Sequence, residues 1–442
     1  MSITTTMTSV PIFESVSRFL PPGNEDEQFW WKITGRHMAR MMHEAGYPED
    51  RQVECLLFHR FKVVPCLGPR PHSDTPWYKS RVGGGAADGC PINYSWRFGT
   101  SDRRPHNRNF IEPLGALTNT SADPLNEVAT KALLHDYSMT LPNVDLEAFW
   151  TFAPHYRPRI IEKADMEKLA GASLLVGAEM SPDSRTIDIK AYMYPRVPSQ
   201  TSQLLTTILP QAMRDAYGED VCLDSLNFVH DFMTKDPQGC QLVLTGTTGI
   251  DCCKLQDTRV KIYVITRNTS FDHIAAIMTL GGRRPISEEL LGQLKALWYE
   301  LKGAPAELPS SEQLPVQTKP DRSKNPIVVP FYFDIQPRLE LPDVKAYIDV
   351  STSPVSDLAA ANAVVCHLEQ HGSGQNPKAY LNVLKDITPV EALETQKGAL
   401  AFYSVAVKKN ELDITSYFNP QVYKRYFAHE VQLNGQRRSV FE

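Results

Sequence analysis

The chain has 442 residues, 42% of them hydrophobic, and a formal net charge of -5. This is enough apolar material for a sizeable core and too little charge to draw nucleic acid or an anionic membrane surface, and no apolar run nears the roughly 18–20 residues of a membrane helix. Eight cysteines without a single CxxC pair exclude a disulfide-stapled module and predict reduced, buried thiols.

In chain order, residues 1–25 are expected to form a flexible lead-in. Its first stretch, 1–11, is Ser/Thr-rich and lacks the basic and apolar blocks of a secretion signal, which predicts a cytosolic protein. Period-3.6 patterning predicts helices over 27–45 and 52–63, and period-2 patterning predicts strands over 91–99 and 107–114. The same order then returns. Helices 124–139 and 145–152 precede strands 172–180 and 186–194, and helices 199–217 and 223–233 precede strands 238–247 and 257–266. Helices 271–280 and 287–301 precede strands 327–335 and 344–350, and helices 354–371 and 377–387 precede strands 398–407 and 412–418. Prolines at 305, 309, 315, 320 and 326 make 305–326 a long Pro-rich loop, not a domain linker, because the repeat continues across it.

Five helix-helix-strand-strand units place ten strands in adjacent pairs, which favours an antiparallel sheet. Closing that sheet removes its edges, and ten strands enclose a ligand-sized lumen. The predicted fold class is therefore α/β, a ten-stranded antiparallel barrel ringed by helices, in one domain over 1–442.

Residues i, i+2 and i+4 of a strand share a face, so Arg259, Lys261 and Tyr263 point one way. Lys190 and Tyr192 stand in the last strand of the second unit, Lys345 and Tyr347 in that of the fourth, and Arg108 opens the equivalent strand of the first. One such strand alone is ordinarily a solvent-facing amphipathic strand. Five cations and three tyrosines at equivalent repeat positions, with few acidic partners between them, instead converge inside a barrel. Isolated buried ammonium groups are too costly there, so they need a polyanion, and a pyrophosphate fits. If the pyrophosphate is allylic, its departure leaves an allyl cation, which aromatic faces attract by about 2 kcal/mol or more when desolvated. A ring of tyrosines also keeps out the water that would quench that cation.

These residues carry a resemblance. The chain resembles the dimethylallyltryptophan synthase family of fungal aromatic prenyltransferases over nearly its whole length. The matching segments are 31–47, Val64-Pro-Cys-Leu-Gly-Pro69, Gly89-Cys-Pro-Ile-Asn-Tyr-Ser-Trp96, Arg108-Asn-Phe-Ile-Glu-Pro113, Lys190-Ala-Tyr-Met-Tyr-Pro195, Arg259-Val-Lys-Ile-Tyr263, Lys345-Ala-Tyr347 and Tyr417-Phe-Asn-Pro420. The resemblance implies a barrel of five such repeats and use of dimethylallyl pyrophosphate as a substrate without a metal or other cofactor. It further implies prenylation of tryptophan, an indole-containing cyclic dipeptide or another aromatic, in fungal secondary metabolism. By it, Arg108, Lys190, Arg259, Lys261 and Lys345 hold pyrophosphate, while Tyr192, Tyr263, Tyr347 and Tyr417 shield the allyl cation. The implied partners are small molecules, with neither nucleic acid nor membrane, in a monomer or homodimer.

Two positions depart from the family pattern. Asn93 stands where many members carry the Glu that accepts the indole N–H and takes the final proton; an amide cannot serve as that base. Phe402 stands where Tyr is expected, with Tyr403 beside it and a register slip of one left open. The acceptor expected from the family is an indole, tryptophan or a tryptophan-containing cyclic dipeptide; the Asn93 departure makes a phenolic or hydroxyquinolone-type ring the alternative, and a non-catalytic isoprenoid or aromatic binder a remote one. Metal-dependent terpene chemistry is disfavoured because no Asp-Asp pair occurs. The glycine-rich 83–89 stretch has Asp88 where a dinucleotide fingerprint needs glycine, and His367 and His371 lack the zinc-protease order.

Overall fold

The computed structural model describes residues 10–83, 87–100, 102–156, 172–195, 198–315, 328–372 and 375–426. Ten strands form one closed sheet: β1 (Ile92–Arg97), β2 (His106–Ile111), β3 (Leu174–Met180), β4 (Ile187–Met193), β5 (Val243–Asp251), β6 (Val260–Thr266), β7 (Val329–Ile335), β8 (Asp343–Asp349), β9 (Leu400–Lys408) and β10 (Glu411–Phe418). All neighbours run antiparallel, and β1 pairs with both β2 and β10, so the sheet has no open edge. This is the barrel that the five-fold repeat predicts.

Alternation sorts each strand into two faces. Trp96, Ile189, Val260, Ile262, Phe331, Phe333 and Ile348 point outward and are buried beneath the helices. The helices present their own apolar residues to that surface; Leu290, Leu294, Leu297 and Trp298 of helix Glu288–Lys302 are all buried. Its start is set by Ser287, whose side chain accepts the Leu290 N–H, and its end by Gly303 at φ 61, a left-handed position that glycine takes without strain. The main apolar core thus lies between barrel and helices, and the lumen is left to the other set of side chains. Among the described residues, no helix is long and apolar enough to cross a membrane.

Three expectations needed correction. The thiols are not mostly buried: Cys55, Cys90 and Cys252 are, whereas Cys222, Cys240 and Cys366 are exposed. The segment expected to be a flexible lead-in contains helix Pro11–Phe19, which packs on the fold. Phe13 and Val16 are buried, the Phe13 and Trp31 rings lie 5.1 Å apart, and the Trp31 indole N–H donates to Ser17 Oγ at 3.0 Å. Residues 1–9 lie outside the described residues. The strand expected over 238–247 starts late, at Val243. Asp236 accepts the N–H groups of Gln238 and Gly239 and winds Gly239–Gln241 into a short helical turn instead. A register shift between Leu244 and Thr248 then carries β5 through to Asp251. In the Pro-rich stretch, Leu314 is buried and its N–H donates to Thr269 Oγ1 at 2.9 Å, while 316–327 lie outside the described residues.

If helix Pro11–Phe19 belongs to the fold, Phe13→Ala should lower the unfolding free energy by about 3 kcal/mol through the cavity it leaves. Denaturant unfolding measures it, and a change near zero would return the segment to a loose tail.

Candidate active site

The inward-facing residues divide the lumen into layers. On every even strand a charged or polar residue is followed two places on by an aromatic: Arg108 and Phe110 on β2, Lys190 and Tyr192 on β4, Lys261 and Tyr263 on β6, Lys345 and Tyr347 on β8, Thr415 and Tyr417 on β10. The five rings close on each other. Centroid separations run 5.6 Å from Phe110 to Tyr192, 6.4 Å to Tyr263, 6.3 Å to Tyr347, 5.7 Å to Tyr417 and 6.0 Å back to Phe110. Tyr332 of β7 touches this belt at 5.6 Å from Tyr263. The odd strands make room for it. A Cβ on Gly177 of β3 would lie 2.9 Å from the Phe110 ring, and one on Gly249 of β5 would lie 3.0 Å from Tyr192.

On one side of the belt is a chamber of about 430 Å³ lined by Arg97, Arg108, Lys190, Arg259, Lys261, Lys345 and Lys408. All five cations expected from the sequence meet there. The expectation of few acidic partners is corrected: Glu179, Asp251, Asp334 and Asp413 stand among them, because the inward phase of β3, β5, β7 and β10 also carries charge. Glu179 takes a bond from Arg108 at 2.9 Å and another from Lys190. Asp251 binds Arg259 and Lys261, each at 2.7 Å, and Asp334 binds Arg259 at 3.2 Å. Asp413 binds Arg97 at 2.8 Å and Arg103 at 3.1 Å. Burial alone would raise the Glu179 and Asp251 carboxyls, but Arg108 and Lys190 hold Glu179 well below the usual range, and Lys261, Lys190 and Arg259 do the same for Asp251.

Lys345 differs. It is buried, makes no ion pair among the described residues, and has its ammonium 5.9 Å from the Tyr332 ring centroid. Burial pushes its pKa down to about 7; Asp413 opposes this, and Arg108, Arg97 and Lys408 add to it. Burial likewise raises the phenols of Tyr192, Tyr263 and Tyr347 well above their usual range, so these three rings are neutral.

Across the belt is a second chamber of about 470 Å³, sharing Phe110, Tyr192, Tyr263, Tyr347 and Tyr417 with the first. Its other walls are Val82, Leu175, Tyr194, Val264, Ile265, Pro330, Phe402 and, at polar points, Asn93, Thr245, Thr247 and Arg81. Asn93 is buried, and its amide oxygen has no hydrogen-bond partner among the described residues. Phe402 faces this chamber, which resolves the register: Tyr403 points outward, its hydroxyl 3.0 Å from that of Tyr380. Arg81 rides on a strap fixed by buried Glu112, which accepts the Tyr78 hydroxyl, Ser80 Oγ at 2.8 Å and the Arg81 N–H at 2.9 Å. The guanidinium lies 5.8 Å from the Tyr194 ring centroid.

Sequence reasoning missed Phe110, Tyr332, Arg97, Lys408 and the four carboxylates. Phe110 was legible, since it stands two places after Arg108 as Tyr192 does after Lys190. Asp251 was not, because the predicted strand ended before it. His367 and His371 stand with rings 4.6 Å apart in helix Asp357–Gln370 and the turn after it, and no group of three or more metal-ligating side chains is found among the described residues.

Comparison with known proteins places this geometry in context. A family model described as tryptophan dimethylallyltransferase matches residues 26–383. The chain is 98% identical to prenyltransferase nscD of Arthroderma benhamiae over 99% of its own length and 100% of the relative's. It is 65% identical to prenyltransferase nscD of Aspergillus fumigatus, covering 98% and 96%. Among solved structures, NotF in complex with brevianamide F and DMSPP superposes with a TM-score of 0.73 at 20% identity, over 93% of this chain and 98% of that one. AnaPT from Neosartorya fischeri does so with a TM-score of 0.74 at 20% identity, over 92% and 97%. At that identity the two structures establish the shared fold.

The lowered pKa of Lys345 has a direct consequence for anion binding. Raising the pH through about 7 removes its charge, so between roughly pH 6 and pH 8 affinity for inorganic pyrophosphate should fall about fivefold relative to a variant whose charge persists, the anion's own ionisation being common to both. Lys345→Arg keeps its charge and should flatten the profile. Calorimetric titration reads both, and identical slopes would show that Lys345 does not face the anion.

Proposed function

The chain belongs to the tryptophan dimethylallyltransferase family and is an aromatic prenyltransferase, and on that premise we propose that it moves a dimethylallyl group from dimethylallyl pyrophosphate to an electron-rich aromatic ring. The observation that carries this reading is the closed aromatic belt between a cationic chamber and an apolar one. Arg108, Lys190, Arg259, Lys261 and Lys345 hold the pyrophosphate, and Arg97 and Lys408 add to the field. Breaking the allylic C–O bond leaves the electron pair on pyrophosphate, where these cations stabilise it. The carbocation stays level with Tyr192, Tyr263, Tyr347, Tyr417 and Phe110, whose faces attract it and whose bulk excludes water. The acceptor ring, seated across the belt, supplies the electrons for the new bond and then loses a proton to recover aromaticity. Protein cations provide the charge that magnesium provides elsewhere, which supports metal-independent turnover.

Two acceptor classes fit the second chamber. An indole follows the family and the brevianamide F bound by NotF, with Asn93 Oδ1 accepting the indole N–H. A hydroxylated aromatic ring is the second reading, and the chamber's own side chains favour it. None of the described lining residues is a carboxylate able to take an indole's proton, and the charged one among them is Arg81. A ring hydroxyl ionises more readily than an indole, activates its own ring, and as an oxyanion is complementary to Arg81.

Turnover of dimethylallyl pyrophosphate should survive a chelator; complete loss restored by magnesium would contradict the proposal. Tyr263→Leu should raise the share of donor released as alcohol by about tenfold, part of the roughly 2 kcal/mol of a desolvated cation–π contact. An unchanged share would remove Tyr263 from the shield. For the acceptor, tryptophan, a tryptophan-containing cyclic dipeptide and phenolic or hydroxyquinolone-type aromatics should be assayed side by side. The hydroxylated rings should be turned over fastest, Arg81→Gln should raise their KM about tenfold, and Asn93→Glu should raise indole rates. Faster tryptophan turnover by the parent enzyme, unaffected by Arg81→Gln, would restore the indole reading.

A further inference from the structure

A cradle built only to bind pyrophosphate has no use for carboxylates, yet this one holds four. Seven cations line the charged chamber with Glu179, Asp251 and Asp413, Asp334 pairs with Arg259 beside it, and the two further acids of its lining, Asp188 and Asp257, are exposed. Glu179 and Asp251 stand out because each bridges two of the cations assigned above to the donor: Arg108 with Lys190, and Arg259 with Lys261. The backbone register makes these pairs. Arg108 lies directly opposite Glu179 on the neighbouring strand, and Asp251 lies against Arg259, whose carbonyl accepts the Asp251 N–H at 3.4 Å. Both carboxylates are ion-paired and largely shielded from solvent, their side chains 11% (Glu179) and 12% (Asp251) exposed, so their field on a bound anion is weakly screened.

The chemistry supplies the reason for them. A prenyl pyrophosphate carries about two to three negative charges near neutral pH, and the pyrophosphate released from it carries at least as many. Seven unopposed cations would hold the product as firmly as the donor and would repel one another before either arrived. We infer that Glu179 and Asp251 are resident counter-charges: they fix the four cations in their empty-site positions and lower the affinity for departing pyrophosphate so that it leaves. The inference rests on the donor assignment proposed above and adds the control of product release.

Its test exploits a sign that a merely structural role would not give. Replacing Asp251 by Asn or Glu179 by Gln keeps the shape and adds one net positive charge to the chamber. Each variant should bind inorganic pyrophosphate about tenfold more tightly by calorimetry, the order expected for one charge roughly 10 Å away in a partly screened interior. Product inhibition should strengthen and kcat should fall, while Asp251→Glu keeps the parent's pyrophosphate affinity. If Asp251→Asn does not fold, Glu179→Gln decides the matter. Unchanged or weaker pyrophosphate binding in the folded variants would overturn the inference. Failure of the parent protein to bind pyrophosphate at all would instead overturn the donor assignment beneath it.

Discussion

Seven cationic side chains enclosed in one barrel repel one another, and the organisation of the lumen follows from how that repulsion is relieved. Part of the relief is internal, through Glu179, Asp251, Asp334 and Asp413. Removing one partner of such a buried pair ordinarily costs about 3–5 kcal/mol, so the pairs are strongly coupled to the fold around them. The remainder is unrelieved, and Lys345, with no ion-pair partner among the described residues, shows where. An anion that enters this chamber meets charge already assembled and oriented.

Closure of the sheet is what makes the charge converge. In an open sheet the Arg259, Lys261, Tyr263 face would meet water, and the same residues would be an unremarked polar surface. Closed, the strand phase stacks two layers at a two-residue offset, cations below and aromatics above, and the offset repeats because the unit repeats. Gly177 and Gly249 complete the arrangement by omitting side chains where the Phe110 and Tyr192 rings cross. The consequence is a lumen with one charged end, one apolar end and an aromatic boundary, which is the polarity that separating an allyl cation from pyrophosphate requires.

Much of this was legible in the sequence, and the failures have physical causes. The repeat fixed the number and pairing of strands because period 2 and period 3.6 alternate cleanly over most of the chain. The cation and tyrosine positions followed from strand phase alone. Two of the carboxylates were missed for different reasons: Asp251 because the predicted strand stopped before the register shift that carries β5 to it, and Glu179 because it stands one place from the end of an otherwise apolar strand and reads as a terminus. Helix Pro11–Phe19 was missed because its contact with Trp31 is tertiary, and polar Ser and Arg residues mask a short apolar stripe. Which of Phe402 and Tyr403 faces inward could not be read either, since both neighbours are aromatic and only the pairing with β8 and β10 decides.

The central claim is that one end of the lumen takes the pyrophosphate and the aromatic belt takes the prenyl tail. The most direct test is a crystal structure of the protein with a thiolodiphosphate analogue of the donor, which cannot ionise. The account predicts phosphate oxygens within hydrogen-bond reach of Lys190, Arg259, Lys261 and Lys345, with the five-carbon tail level with Tyr192, Tyr263, Tyr347 and Tyr417. An analogue bound outside the barrel, or inside it with the tail among the cations and the phosphates beside Asn93, would contradict it.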